Sequence, residues 1–166
     1  MLSLTSGNHD CLKREKNGMK KSESFTEKVL NASLNGIYVF DVKQHRHFFI
    51  NHRYTQITGY TLDDLKEIDK TGIHQLFHPG DMPRIIQQWE RINQGNEDIS
   101  EIEYRYRAKN GQWIWCLSRN RVFERGPDGS TCQIIGTFID ITDRKKAEDS
   151  LRESERRFRM VVENSW

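Results

Sequence analysis

The segment Glu101-Ile-Glu-Tyr-Arg-Tyr-Arg107 alternates without exception, with even positions apolar or aromatic and odd positions charged. A period of two is that of a strand with one face buried and the other wet. Asn110-Gly111 follows, a dipeptide suited to a tight hairpin turn. Trp113 to Phe123 supplies the returning strand, Gly126-Pro-Asp-Gly129 a second turn, and Thr131 to Ile141 a third strand. Three strands joined this tightly form an antiparallel sheet, and a sheet needs another layer over its apolar face. The third strand, Cys132-Gln-Ile-Ile-Gly-Thr-Phe-Ile139, is apolar on both faces, so both are expected to be covered. The N-terminal helix is assigned to one face and the middle helices to the other.

The upstream elements complete that arrangement. Ser22 to Ser33 reads as a short helix, with Ser22 or Ser24 as cap, Phe25, Val29 and Leu30 on one face, and Asn35-Gly36 as the stop. Gly36 to Val42 reads as a strand. His47 to Asn51 is its hairpin partner across the polar turn Lys43-Gln-His-Arg46. Tyr54 and Ile57 share a helical face, and Gly59 stands at the C-cap position. Thr61-Leu-Asp-Asp64 has the form of a capping box and opens a helix through Leu65 and Ile68. Gly72 to Gly80 reads as irregular. Asp81 is expected to cap a longer helix, with Pro83 in its first turn, Ile85, Ile86, Trp89 and Ile92 as its stripe, and Gly95 at its end. Beyond Thr142, Ala147, Leu151, Ser154, Phe158 and Val161 fall at spacings of 4, 3, 4 and 3. That is a heptad seam on a charged helix, loosened by Ser154. The whole order predicts an α+β fold, a five-stranded antiparallel sheet with short helices on one face, an N-terminal helix and a C-terminal helix.

Composition narrows the function. Among 166 residues, Lys plus Arg is 26 and Asp plus Glu is 24, a net charge of +2. That balance argues against direct nucleic-acid binding, which needs a concentrated excess of cations. Residues 1–21 carry a basic cluster, Lys13-Arg14, Lys16 and Lys20-Lys21, without an amphipathic face, and read as a flexible leader. No apolar run approaches the roughly 18 residues of a membrane helix, and the N-terminus has no apolar signal-peptide region. Cys11, Cys116 and Cys132 are isolated, which suits a reducing cytoplasm better than a disulfide scaffold. No phosphate loop, GxSxG, HExxH or other catalytic constellation is present.

In their order and spacing these pieces resemble the PAS domain with its C-terminal PAC motif. The resemblance rests on Gly36-Ile-Tyr-Val-Phe-Asp41, on Phe49-Ile-Asn51 with Tyr54, Ile57-Thr-Gly-Tyr60 and Leu65, and on Phe77-His-Pro-Gly-Asp81. It continues through Glu103-Tyr-Arg-Tyr-Arg107, Asn110-Gly111, Trp113-Ile-Trp115, Ile135-Gly136 and Asp140-Ile-Thr-Asp-Arg144. It implies a sheet in the order 2-1-5-4-3 and a sensory or protein-interaction module. Such modules are commonly joined to histidine kinases, diguanylate cyclases or transcription regulators. The element Asp140, Ile141 and Thr142 is implied to relay signals from the last strand to a helix that pairs across a dimer. The heptad seam begins there. Phe25, Val29, Ala147, Leu151 and Phe158 are the candidate dimer residues.

Val161-Val-Glu-Asn-Ser-Trp166 can be laid on Val29-Leu-Asn-Ala-Ser-Leu34. The expected organisation is a leader (1–21), a PAS/PAC domain (22–143), a signalling-helix linker (144–157) and the start of a second PAS copy (158–166). The chain then reads as a fragment of a longer multidomain protein, and a coincidental helix end is the alternative.

The space between sheet and helices is the natural ligand cavity. Its candidate lining is Ile37, Val39, Ile50, Ile57, Phe77, Ile86, Trp89, Tyr104, Tyr106, Trp115, Ile135 and Phe138, residues that also serve as ordinary core. Haem needs an axial histidine facing the cavity. The helix after Asp81 has none, which leaves His74 as a weak candidate and His78 as a hydrogen-bonded turn residue. The Gly-x-Asn-Cys-Arg-Phe-Leu-Gln segment of flavin photosensors is absent, and Cys116 and Cys132 read as buried thiols. His45, His47 and His52 could gather on a metal, yet Lys43 and Arg46 oppose a cation, so a solvated hairpin is expected. The resulting expectation is a non-catalytic cytoplasmic sensor that passes a conformational bias to an output domain in the same chain. A ligand-free dimerisation module and a haem or redox sensor are the alternatives.

Overall fold

A computed structural model of the chain describes residues 25–68, 70–94 and 99–163. The chain divides after Leu34 into two compact units. In the first, residues 25–31 form helix α1. Its predicted caps Ser22 and Ser24 lie outside the described residues.

The second unit runs β1 (Gly36–Asp41), β2 (Arg46–Ile50), α2 (His52–Thr58), α3 (Leu62–Glu67), α4 (Lys70–Gln75) and α5 (Met82–Asn93). It continues with β3 (Ile99–Arg107), β4 (Trp113–Arg125), β5 (Thr131–Asp140) and α6 (Thr142–Glu163). The five strands form one antiparallel sheet in the order β2-β1-β5-β4-β3, as the resemblance implied.

Local chemistry sets the helix ends. Asn51 caps α2 by accepting from the Tyr54 N–H at 3.0 Å, and the same oxygen accepts from Ile37 N–H at 2.8 Å. One buried amide therefore starts the helix and anchors the head of β1. Gly59 closes α2 at φ +79°, a left-handed conformation that a β-carbon disfavours. Thr61 and Asp64 form the expected reciprocal capping box at the start of α3.

Two expectations need correction. The stretch read as irregular contains α4, and Phe77 then pairs with Tyr106 as a short extra edge to β3. That edge is held by Arg107 N–H to Leu76 O at 2.7 Å and His78 N–H to Arg105 O at 3.0 Å. Asp81 stands at the N-cap of α5 but makes no side-chain cap bond. Its carboxylate instead accepts from the backbone and side chain of Arg105, at 2.9 Å each to Oδ2, and from Arg84 at 3.1 Å. A guanidinium fork is a stronger partner for a carboxylate than an amide at a helix start. The predicted stop of α5 at Gly95 lies outside the described residues.

The core sits between the helices and the inward face of the sheet. It is built from Tyr38, Phe40, Tyr54, Leu65, Ile73, Leu76, Ile85, Ile92, Tyr104, Tyr106, Cys116, Ile134 and Phe138. Gly136 makes room for it. A β-carbon there falls 2.4 Å from the Tyr38 ring and 2.4 Å from Asn120 Oδ1, so only glycine lets Tyr38 reach Asn120.

Candidate ligand cavity and output helix

A cavity of about 40 Å³ lies between the sheet and α2, α4 and α5, walled by aromatic rings. β1 contributes Tyr38 and Phe40, β3 contributes Tyr104 and Tyr106, and β5 contributes Phe138. Tyr54, Phe77, Ile85 and Trp89 close the other side. Their hydroxyls are engaged with protein partners. Tyr38 donates to Asn120, Tyr104 meets Ser118 at 2.7 Å, and Tyr54 meets Tyr106 at 3.1 Å. Burial pushes the Tyr38 phenol up to about 12 and raises those of Tyr54, Tyr104 and Tyr106 well above the usual range, so all four stay protonated. Burial likewise raises the Cys116 thiol, which leaves it an unreactive core group.

Of the predicted lining residues, Phe77, Trp89, Tyr104, Tyr106 and Phe138 border this cavity. Ile50 and Ile57 pack against the core without lining it. Ile37, Val39 and Ile135 occupy the opposite face of the sheet, because the strand alternation places their neighbours Tyr38, Phe40 and Ile134 inward. Trp115 also faces away, with Arg105 at 5.3 Å and Lys145 at 5.1 Å over its ring. Ile86 is 42% exposed on α5, one position off the buried stripe carried by Ile85.

The candidate lining omits Tyr38, Phe40, Tyr54 and Ile85 of this wall, and also its polar member, His47. Tyr38 pairs with Ile50 and Phe40 pairs with His47, so an extra residue, Phe48, bulges between them. The bulge shifts the alternation by one, leaving Phe48 61% exposed and turning His47 inward at 8% exposure. The solvated hairpin expected here is therefore wrong for His47. Its ring lies against Tyr38, Phe40 and Tyr54, with centroids 5.7, 5.3 and 5.7 Å away. Desolvation pushes its pKa down to about 4, so it is a neutral imidazole. Among the described residues no group of three or more His, Cys, Asp and Glu side chains could hold a metal ion. His78 accepts from Gly80 N–H at 3.1 Å, the turn role expected for it.

The start of α6 is tied to the sheet at two points. Asp140 accepts from Thr142 N–H at 2.8 Å, and Thr142 Oγ1 accepts from Trp115 N–H at 3.0 Å. Ile141 N–H donates to Trp115 O at 2.8 Å, so all three candidate relay residues sit at this joint. Glu103 of β3 then receives Lys145 at 2.6 Å and Arg144 at 2.5 Å. Beyond the joint α6 has no buried residue, and Ala147, Leu151, Phe158 and Val161 are all exposed. Phe25 and Val29 are exposed on α1. Among the described residues no helix is long and apolar enough to cross a membrane.

Comparison with known proteins agrees with this geometry. The two-component sensor PprA of Pseudomonas aeruginosa is 27% identical over 106 residues, 61% of this chain and 11% of that protein. The probable diguanylate cyclase DgcE of Escherichia coli is 29% identical over 98 residues, 59% of this chain and 8% of that protein. This chain thus spans about a tenth of the length of the curated relatives it matches. A crystal structure of a sensory box histidine kinase/response regulator from Burkholderia thailandensis superposes with a TM-score of 0.65 at 23% identity, covering 81% of this chain and 98% of that one. The PAS fold family matches residues 47–138, more than half of the chain. With its sheet order, its helices over one face and this match, the chain belongs to the PAS fold family.

Proposed function

We propose that this domain senses the contents of its cavity and passes the result to an output domain through α6. The observation that carries the reading is the double role of β3. On one face its Tyr104 and Tyr106 wall the cavity; on the other its Glu103 holds Arg144 and Lys145 of α6. A shift of the edge strand that accommodates a ligand changes the seat of the helix, a population shift between two packings.

Several features support the wider account. The exposed apolar residues Leu151, Phe158 and Val161 at heptad spacing fit a helix that pairs with a second copy, with Phe25 and Val29 of α1 contributing. The relatives that are a two-component sensor and a probable diguanylate cyclase support an output of the two-component or cyclase type; the proposed location is the cytoplasm. The core domain then covers residues 22–143 and the linker 144–157. The boundary proposed before a second PAS copy at 158 falls inside continuous α6.

Asp140→Ala in the full-length parent tests the relay. The expected result is a folded protein with basal output and no response to its signal. A normal response overturns the relay.

The cavity volume favours a second reading, a filled-core dimerisation module. About 40 Å³ is room for roughly three waters. Native mass spectrometry separates the two, since a bound small molecule excludes the filled core.

A further inference from the structure

We infer that His47 is the polar recognition point for a small, uncharged, hydroxyl-bearing ligand held beneath Phe40 and Trp89. This rests on the cavity being the sensory input. His47 lines the cavity, is more than nine-tenths buried, and its Nδ1 is without a hydrogen-bond partner. Buried polar groups are nearly always paired, so this one calls for an explanation. The nearby hydroxyls do not supply a partner, because Tyr38, Tyr54, Tyr104 and Tyr106 bond elsewhere.

The chemistry of the partner follows from the ring. A neutral imidazole presents either a donor or an acceptor at Nδ1 according to its tautomer. A hydroxyl satisfies both cases. A charged ligand is disfavoured, since the surrounding wall is Phe40, Tyr54, Phe77, Trp89 and Phe138, and an ion loses its hydration there without a counter-charge. The depressed basicity of His47 agrees, because the ring offers no cation to an anionic group.

The size follows from a second chamber. A pocket of about 50 Å³ lies beside the first and shares Phe40, Trp89 and Ile134 with it. His45 and Asn93 form its outer rim. Phe40 and Trp89 are stacked between the two, with centroids 6.2 Å apart and planes inclined by 25°. Trp89 is only half-buried, and an outward turn of its ring, away from Phe40, His74 and Phe77, is the movement the proposal requires to join the chambers. At roughly 10–15 Å³ per water-sized atom, the joined space takes about seven non-hydrogen atoms. That is the size of phenol, whose ring suits the aromatic wall and whose hydroxyl meets His47.

Phenol and toluene, equal in size and differing by the hydroxyl, are the probes. Each is titrated into the ¹⁵N-labelled chain and followed by NMR. Phenol is expected to shift the amides of Phe40, Tyr54 and Phe138 and the side-chain ¹⁵N signal of His47. It should bind at least about tenfold more tightly than toluene, because toluene leaves the imidazole unpaired. In His47→Leu that preference should vanish. The wild-type side-chain signal and the probe comparison decide the matter even if the variant does not fold. Equal binding of the two probes, or phenol affinity unchanged in His47→Leu, overturns the assignment of His47 and leaves the cavity as input. If neither probe moves any cavity amide, both this inference and the cavity-input reading fall.

Discussion

Lys145 Nζ of α6 lies 2.6 Å from Glu103 Oε2 of β3, and Arg144 meets the same carboxylate at 2.5 Å. Hydrogen bonds from Lys145 and then Arg144 hold the Glu103 carboxyl below the usual range. The pair joins the first turns of an otherwise unburied helix to the edge of the sheet. Glu103→Gln keeps the shape and removes the charge. Amide exchange in residues 143–147 should then quicken several-fold, while global stability changes by no more than about 1 kcal/mol, as for an exposed ion pair. Unchanged exchange would show that the ion pair does not hold α6.

Gly136→Ala tests how the core is assembled. The added methyl meets the Tyr38 ring and Asn120 Oδ1 at 2.4 Å, both in a packed interior. The loss should be about 2 kcal/mol or more in urea unfolding, the order expected for overpacking. In Tyr38→Leu the obstructing phenol is gone and Asn120 loses the hydrogen bond that holds its Oδ1 in place, so adding Gly136→Ala to it should cost less than in the wild type. Strict additivity would contradict the account of this contact.

Asp81→Ala removes the carboxylate shared by Arg105 and Arg84. Burial raises this carboxyl, but the side-chain and backbone hydrogen bonds from Arg105 overcome that and hold it down at about 2. The stabilisation is full above the ordinary carboxylate range, falls as pH drops from 3.8 toward about 2, and is gone below that. At pH 7 the substitution should cost about 2 kcal/mol, a typical loss for charge-assisted bonds. Asp81→Asn, which keeps one acceptor, should recover part of it. A change below about 0.5 kcal/mol in thermal unfolding would refute the assigned role.

The contrast between Asp81 and Tyr104 shows where the sequence was legible. On β3 charged and apolar residues alternate, so the inward side of Tyr104 and Tyr106 could be read directly. On β1 and β5 both faces are apolar, and alternation carries no information about which side meets the helices. Nothing in that pattern tells that Ile37, Val39 and Ile135 face away from the cavity. Asp81 has the residue type and position of a helix cap, but Arg105 is 24 residues away and no local signal announces it. His47 was hidden by a one-residue bulge, which reverses the alternation without any mark in the neighbouring residues. The strand order came from the resemblance, not from periodicity.

His47 should give the fold a distinctive pH dependence. Its pKa is 6.5 when unfolded and is pushed down to about 4 by burial. Above 6.5 neither state is charged and stability is full. As pH falls from 6.5 toward 4 the unfolded chain takes up a proton that the folded one refuses, so stability is lost across that window. The total is roughly 3 kcal/mol at roughly 1.4 kcal/mol per unit. Asp64 and Asp81, held down near 2, stay ionised throughout. In His47→Phe, urea midpoints at pH 7.5 and pH 4.5 should differ far less than in the wild type. Equal differences would mean that His47 is not buried as a neutral ring.

The proposed relay runs from the cavity through β3 to α6. Trp89→Phe enlarges the cavity from the α5 side, far along the chain from the helix joint. Amide chemical shifts of residues 142–147 are then compared in the wild-type and Glu103→Gln backgrounds. The account predicts that Trp89→Phe moves these amides in the wild type and that the movement largely disappears in Glu103→Gln. Shifts confined to the cavity residues, with those of α6 unmoved in both backgrounds, would contradict it.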